Sequence, residues 1–119
     1  MEKNCTVYRT ANLIGKRWTL NILLELYKGK GRKKRYNELK SSLPGITPKL
    51  LSMRLKELAD EGMIRKNVDG KSFPIKSEYS LTPAGDEFIN TIKGMKKWAL
   101  KWKYDNKFCE AQDCEECLK

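Results

Sequence analysis

The dipeptide Thr-Pro occurs twice, at Thr47-Pro48 and at Thr82-Pro83, and each copy heads an amphipathic run. A threonine hydroxyl accepts from the free N–H groups of a first helical turn, and proline in the first helical position loses nothing by lacking its own N–H. Two helix starts are therefore marked. The first predicts a helix from 47 to about 61, stopped by Gly62. Leu51, Leu55 and Leu58 share one side of it, whereas Lys49, Met53, Lys56 and Asp60 point the other way. The second predicts a long helix to about 104 in which Phe88, Ile92, Met95, Ala99 and Trp102 are spaced 4, 3, 4 and 3, a heptad seam.

The segments between and before these starts complete the order. Residues 64–68 and 76–81 suit two short strands joined by Asp69-Gly70-Lys71-Ser72-Phe73-Pro74, whose Asp-Gly is a hairpin signal. Residues 36–43 read as a short helix ended by Pro44-Gly45. Residues 18–27 carry Leu20, Ile22, Leu23, Leu24, Leu26 and Tyr27 nearly all round a helix, which predicts a central, buried element. Ahead of it Val7, Ala11, Ile14 and Trp18 mark one face of a further helix, with Gly15 expected to close it in the left-handed conformation. The predicted order is helix, helix, helix, helix, hairpin, long helix: a mainly α chain with a small β-hairpin.

At 119 residues this is one domain rather than two. Its 25 basic and 15 acidic residues leave a net charge of +10, which favours a polyanionic partner. The excess is not spread evenly. Up to and including Lys66 there are 16 basic and 6 acidic residues, and after it 9 of each. Six of the basic residues lie in the turn 28–35, which reads as a solvated loop that cannot join the core, or as a flanking phosphate contact. The start Met1-Glu2-Lys3-Asn4 lacks the apolar run of a leader. The densest apolar stretch, 20–27, contains Asn21 and Glu25 and is too short to span a bilayer. The chain is expected in the cytoplasm, with no membrane partner and with its four cysteines as thiols or ligands rather than a disulfide framework.

A short helix, a Pro-Gly turn and a second helix opening on Thr47, Pro48 and Lys49 make a helix-turn-helix, whose second helix can enter the major groove of double-stranded DNA. Lys49, Ser52, Met53 and Lys56 are the candidate base and backbone contacts, against the alternative of a merely solvated face. Arg54 lies nearer the core flank, where a phosphate or an internal ion pair would serve it equally. Lys66, Lys71, Ser72 and Lys76 in and beside the hairpin would meet phosphates. The layout is that of a winged helix-turn-helix with a long C-terminal dimerisation helix, the partner face being Val7, Ala11, Phe88, Ile92, Met95, Ala99 and Trp102. Packing of that seam on its own first helix is the alternative. Trp98 and Trp102 would be packed residues, or the wall of an effector pocket. Homodimerisation would place two reading helices on half-sites about 34 Å apart.

Three stretches carry a family resemblance: Trp18-Thr19-Leu20; Leu43-Pro44-Gly45-Ile46-Thr47-Pro48-Lys49 running on to Leu58; and Glu78-Tyr79-Ser80-Leu81-Thr82-Pro83-Ala84-Gly85. Over about residues 5 to 102 the chain resembles the HxlR family of bacterial and archaeal transcription regulators. The resemblance implies a dimeric winged helix-turn-helix regulator, a cousin of the MarR-type regulators, often repressing its own or neighbouring genes. Cys5 stands near the N-terminus where many relatives carry a cysteine, which in some of them senses oxidants or electrophiles. The wing here departs from the proline-richer segment of many relatives. The acidic end, 105–119, extends past the DNA-binding and dimerisation domain, 1–104.

Cys5 is a small buried apolar residue or a reactive thiol. Cys109, Cys114 and Cys117, spaced C-x4-C-x2-C, could hold zinc or an iron–sulfur cluster with a fourth ligand from Cys5 or a second chain; the alternatives are thiol chemistry and a disordered reduced tail. No enzyme is expected, for the chain has no histidine, no Gly-rich phosphate loop and no paired carboxylates outside helix surfaces. RNA binding lacks the interleaved strand aromatics that stack bases. The expected function is a homodimeric, sequence-specific DNA-binding regulator with an oxidant or small-molecule effector; the alternative is a cysteine-based redox or metal-binding protein with secondary DNA binding.

Overall fold

The computed structural model describes residues 2–71, 73 and 76–117. Along the chain run α1 (Thr6–Ile14), α2 (Thr19–Lys28), a 3-10 turn (Lys30–Arg32), β1 (Lys33–Arg35), α3 (Tyr36–Ser42) and α4 (Pro48–Asp60). Then follow β2 (Ile64–Asp69), β3 (Lys76–Leu81), α5 (Pro83–Trp102), α6 (Lys107–Ala111) and a last 3-10 turn (Cys114–Glu116). The fold is mostly helical around a small antiparallel sheet, the winged-helix architecture that the order of elements predicts.

Both Thr-Pro pairs cap as expected. The Thr47 hydroxyl accepts the Leu50 N–H at 3.2 Å, and the Thr82 hydroxyl accepts the Gly85 N–H at 3.2 Å. Thr82 does more than start a helix. Its hydroxyl donates to the Gly62 carbonyl at 2.6 Å and its N–H to the Met63 carbonyl at 3.2 Å, so the head of α5 is fastened to the turn that ends α4. Gly85 lies against this joint: a Cβ there would sit 2.0 Å from the Met63 carbonyl oxygen. Gly62 itself, at φ 75°, takes the left-handed turn that follows α4.

The core is built around α2, with Ile22, Leu23 and Leu26 fully buried, and it takes in Leu39 from α3, Leu51, Leu55 and Leu58 from α4, Met63, Ile64, Tyr79 and Ile89. Periodicity alone predicted α2 and the α4 leucines. Two local expectations are corrected. Gly15 closes α1 with right-handed geometry, φ −77°, and the left-handed residue is Trp18 at φ 80°, immediately before α2. The hairpin is really part of a three-stranded sheet in the order β1-β3-β2. β2 pairs with β3 from Ile64 opposite Leu81 to Asp69 opposite Lys76, and β1 adds Lys33 to Arg35 opposite Ser80 to Glu78.

The basic loop expected here is in part the strand β1, in which Lys33 and Arg35 stay exposed while Lys34 turns inward, and the inward turn has an electrostatic cause. Lys34 and Lys28 grip Glu25 of α2 at 2.8 and 3.2 Å, with all three side chains 16% exposed or less. Lys34 also reaches Ser42 at 3.4 Å. A carboxylate on the central helix thus neutralises cations that would otherwise be expelled from the interior.

Candidate nucleic-acid interface and the cysteine tail

α3, the turn 43–47 and α4 form the helix-turn-helix, with the leucine face of α4 inward. Lys49, Ser52, Met53 and Lys56 are all exposed on its other face. Lys56 pairs with Asp60 at 3.1 Å, but both side chains are well solvated, so the pair is weak and the ammonium can move to a phosphate. Thr47 and Pro48 are exposed at the head of the helix, where the Thr47 hydroxyl is engaged as the cap. Tyr36, which sequence reasoning did not single out, joins the two helices: its hydroxyl donates to the Pro48 carbonyl at 3.3 Å and lies 3.5 Å from the Ser52 hydroxyl. Its only signal was its place opening α3.

Arg54 does not belong with the open face. Its Nε donates to the Arg17 carbonyl at 2.9 Å and its Nη1 to Glu57 at 2.7 Å, with the side chain 15% exposed. Glu57 also pairs with Lys16, and these hydrogen bonds, Lys16 first, hold its carboxyl below the usual range against the opposing effect of burial. Arg54 is the centre of a joint between the α1–α2 turn and α4, which is the internal ion pair expected of it as one of two roles.

Beyond Ile64 the outer strand of the wing is open: residues 65–69 of β2 are all exposed, whereas Tyr79 opposite Lys66 on β3 belongs to the core. Lys66 lies with its ammonium 6.0 Å from the centre of the Tyr79 ring, at the limit of a cation–π contact. Lys71 and Lys76 are exposed, and the Lys71 N–H donates to the Asp69 carboxylate at 2.9 Å, which tightens the turn. Arg65 is a further exposed wing cation, which the sequence reading passed over. Ser72 lies outside the described residues.

The predicted seam divides in two. Ile92 is buried in the chain's own core and Phe88 packs against it, so Ile92 is corrected from a partner contact to a core residue. Ala99 is half-buried. Met95, Trp98 and Trp102, at i, i+3 and i+7, remain 48, 57 and 67% exposed, and Val7 and Ala11 of α1 are exposed as well. The stripe therefore includes Trp98, and it is broken where α5 meets α2.

The tail is folded. Asp113 accepts from the Tyr27 hydroxyl at 3.2 Å and pairs with Lys93 at 2.8 Å, while the Lys93 ammonium also donates to the Tyr27 hydroxyl at 2.7 Å. The hydrogen bond from Lys93, with those from the Glu115 N–H and Tyr27, lowers the Asp113 carboxyl to about 2; the same cluster raises Lys93. Arg32 stacks 4.2 Å from the centre of the Tyr27 ring, donates to the Tyr27 carbonyl at 2.8 Å, and pairs with Glu115 at 3.0 Å and Asp86 at 3.6 Å. Cys5, Cys109, Cys114 and Cys117 are free and half-buried. Among the described residues the cysteines and acids do not gather in any set of three that could hold an ion. Among the same residues no helix is long and apolar enough to cross a membrane.

A reading helix held by an α3–turn–α4 unit, with a basic ribbon projecting beside it, defines a winged helix-turn-helix protein. The chain belongs to the HxlR-like helix-turn-helix family, whose model matches residues 13–107. It is 42% identical over 91 residues to the uncharacterized HTH-type transcriptional regulator YdzF of Bacillus subtilis, covering 76% of this chain and 81% of that one. The reduced form of the transcriptional regulator YodB from B. subtilis superposes with a TM-score of 0.73 at 31% identity, over 87% of this chain and 98% of that one. The redox regulator HypR in its reduced form gives 0.73 at 30% identity, over 91% and 100%. These relatives are transcriptional regulators, and the class to which this chain belongs is a DNA-binding one rather than an enzymatic one.

Proposed function

We propose that this chain is a homodimeric, sequence-specific repressor acting in the cytoplasm, which reads its operator with Lys49, Ser52, Met53 and Lys56 and steadies itself on phosphates with the wing. The observation that carries the reading is the open, polar face of α4 beside a ribbon bearing Arg65, Lys66, Lys71 and Lys76. Dimerisation is supported by the exposed stripe Met95, Trp98 and Trp102, since a run of apolar side chains this large on a single chain marks an interface. Oxidants or electrophiles acting on the thiols are the proposed signal, supported by the half-buried free cysteines and by the likeness to a redox regulator.

The test is fluorescence anisotropy on DNA from the chain's own upstream region over a salt series, with reduced and oxidised protein. Lys49→Ala should lower affinity for the operator by about 10- to 100-fold and relax its sequence preference, the range for one lost base contact of about 1–3 kcal/mol. Lys71→Ala should weaken every duplex alike and flatten the salt slope by about 0.9. Binding no tighter to the upstream DNA than to random duplex, in either redox state, would remove the reading.

A further inference from the structure

We propose that Cys114 and Cys117 form a dithiol–disulfide pair that closes the last turn of the chain and latches the tail onto the domain. The proposal deepens the thiol response proposed above and rests on it for the identity of the signal alone.

Cys114-Glu115-Glu116-Cys117 is a C-x-x-C segment wound into a 3-10 turn, closed by the Cys117 N–H on the Cys114 carbonyl at 3.3 Å. In a 3-10 turn the side chains at i and i+3 eclipse, and three steps of about 2.0 Å put the two Cα atoms about 6 Å apart. A disulfide spans Cα separations of about 4.4–6.8 Å. Cys109 lies on α6, outside this turn, with residues 110–113 between it and Cys114. The turn is also held in place from outside. Cys114 packs against the hydrophobic core, Asp113 before it is gripped by Lys93 and Tyr27, and Glu115 after it by Arg32. The Lys96 ammonium donates to the Gln112 carbonyl. The geometry that docks the tail is the geometry that brings the two thiols together.

The chemistry needs a hydroperoxide. One cysteine thiolate attacks the peroxide, an S–O bond forming as the O–O bond breaks, to give a sulfenic acid and release hydroxide or alkoxide. The second thiol, as its thiolate, displaces the sulfenic hydroxyl: the S–S bond forms, the S–O bond breaks, and water leaves with the second proton. Two electrons pass from the two sulfurs to the peroxide. Closing the turn fixes Asp113 and Glu115 where they meet Lys93 and Arg32. Arg32 leads directly into β1 and α3, so the latched tail ties the first helix of the helix-turn-helix to α5. By linkage, docking favours the disulfide by the factor by which the disulfide favours docking.

The full chain is treated with hydrogen peroxide, its remaining thiols are alkylated, and the peptides are mapped by mass spectrometry; wild type and Asp113→Asn are then titrated in a glutathione redox buffer. The expected result is an intrachain Cys114–Cys117 link. Its midpoint should move about 5- to 10-fold toward reduction in Asp113→Asn. Recovery of both cysteines alkylated, linkage of either to Cys5, Cys109 or a second chain, or equal midpoints in the two proteins would overturn the latch. DNA affinity measured on the same samples separates the two readings: a latch that forms as expected while no state binds operator removes the repressor and leaves the latch standing.

Discussion

Replacing Gly85 by alanine should destabilise the protein even though alanine is the better helix former, because the added methyl has nowhere to go. The new Cβ would lie 2.0 Å from the Met63 carbonyl oxygen, 3.1 Å from its carbon and 3.2 Å from Leu81 Cδ2. An ordinary carbon–oxygen contact is more than 1 Å longer, and the obstacle is backbone rather than the end of a flexible chain. α5 must therefore lift. Lifting it stretches the two bonds by which Thr82 holds the end of α4, to the Gly62 and Met63 carbonyls. Overpacking of this kind costs about 1–3 kcal/mol and the weakened hydrogen bonds about 1 more, so the loss should be about 2–4 kcal/mol. For a domain of this size that is a fall in Tm of about 10 °C. Gly94→Ala on the same helix is the control: a Cβ there meets nothing within 4 Å, and helix propensity alone should add about 0.5–1 kcal/mol. Thermal and urea unfolding followed by circular dichroism, at one protomer concentration, measures both. Equal shifts of the same sign for the two variants, or a Gly85→Ala Tm within about 2 °C of wild type, would refute the reasoning.

Arg54→Ala should lower stability by about 1–2 kcal/mol through the loss of its bonds to the Arg17 carbonyl and Glu57, while leaving the sequence preference measured by anisotropy unchanged. A changed base preference in a fully folded variant would return Arg54 to the reading surface. Trp98→Glu with Trp102→Glu should shift sedimentation from dimer to monomer with the helix content retained; a variant that still sediments as a dimer would move the interface elsewhere. Acid should release the tail before it unfolds the domain. The Asp113 carboxyl is depressed to about 2 from an ordinary 3.8, so its contribution is complete above about pH 4 and is lost as the pH falls through about 2. The amide resonances of Glu115 and Cys117 should move to unstructured positions over that window, and sooner in high salt, because the pair with Lys93 is partly solvated; amides unmoved at pH 2 would contradict it.

Much of the helix-turn-helix was legible in the sequence. Thr47-Pro48 and the leucines at 51, 55 and 58 act within a few residues of chain, through caps and periodicity, and each stands where it was expected; Asp69, expected in the loop, ends β2 opposite Lys76. The exposure of Lys49, Ser52 and Lys56 follows from the same helical period. Arg54, one residue from Met53, was ambiguous because its fate depends on the Arg17 carbonyl, 37 positions away. Tyr36 went unnoticed because its partner is likewise on another helix.

What the sequence determined by itself is the set of local elements and the faces they present: two capped helices of known phase, a central apolar helix and a basic first half. The tertiary structure decided the rest. It turned a run of lysines into β1, since strand pairing is a backbone interaction that needs an exposed edge on β3, and since Glu25 on a neighbouring helix offsets the charge. It moved Ile92 from the seam into the core and left Trp98 outside. It also brought Tyr27, Lys93 and Asp113, separated by up to 86 positions, into one cluster that folds the acidic tail. Hydrogen bonds and ion pairs between distant segments depend on how close packing brings them, and no period or composition in the chain records that distance.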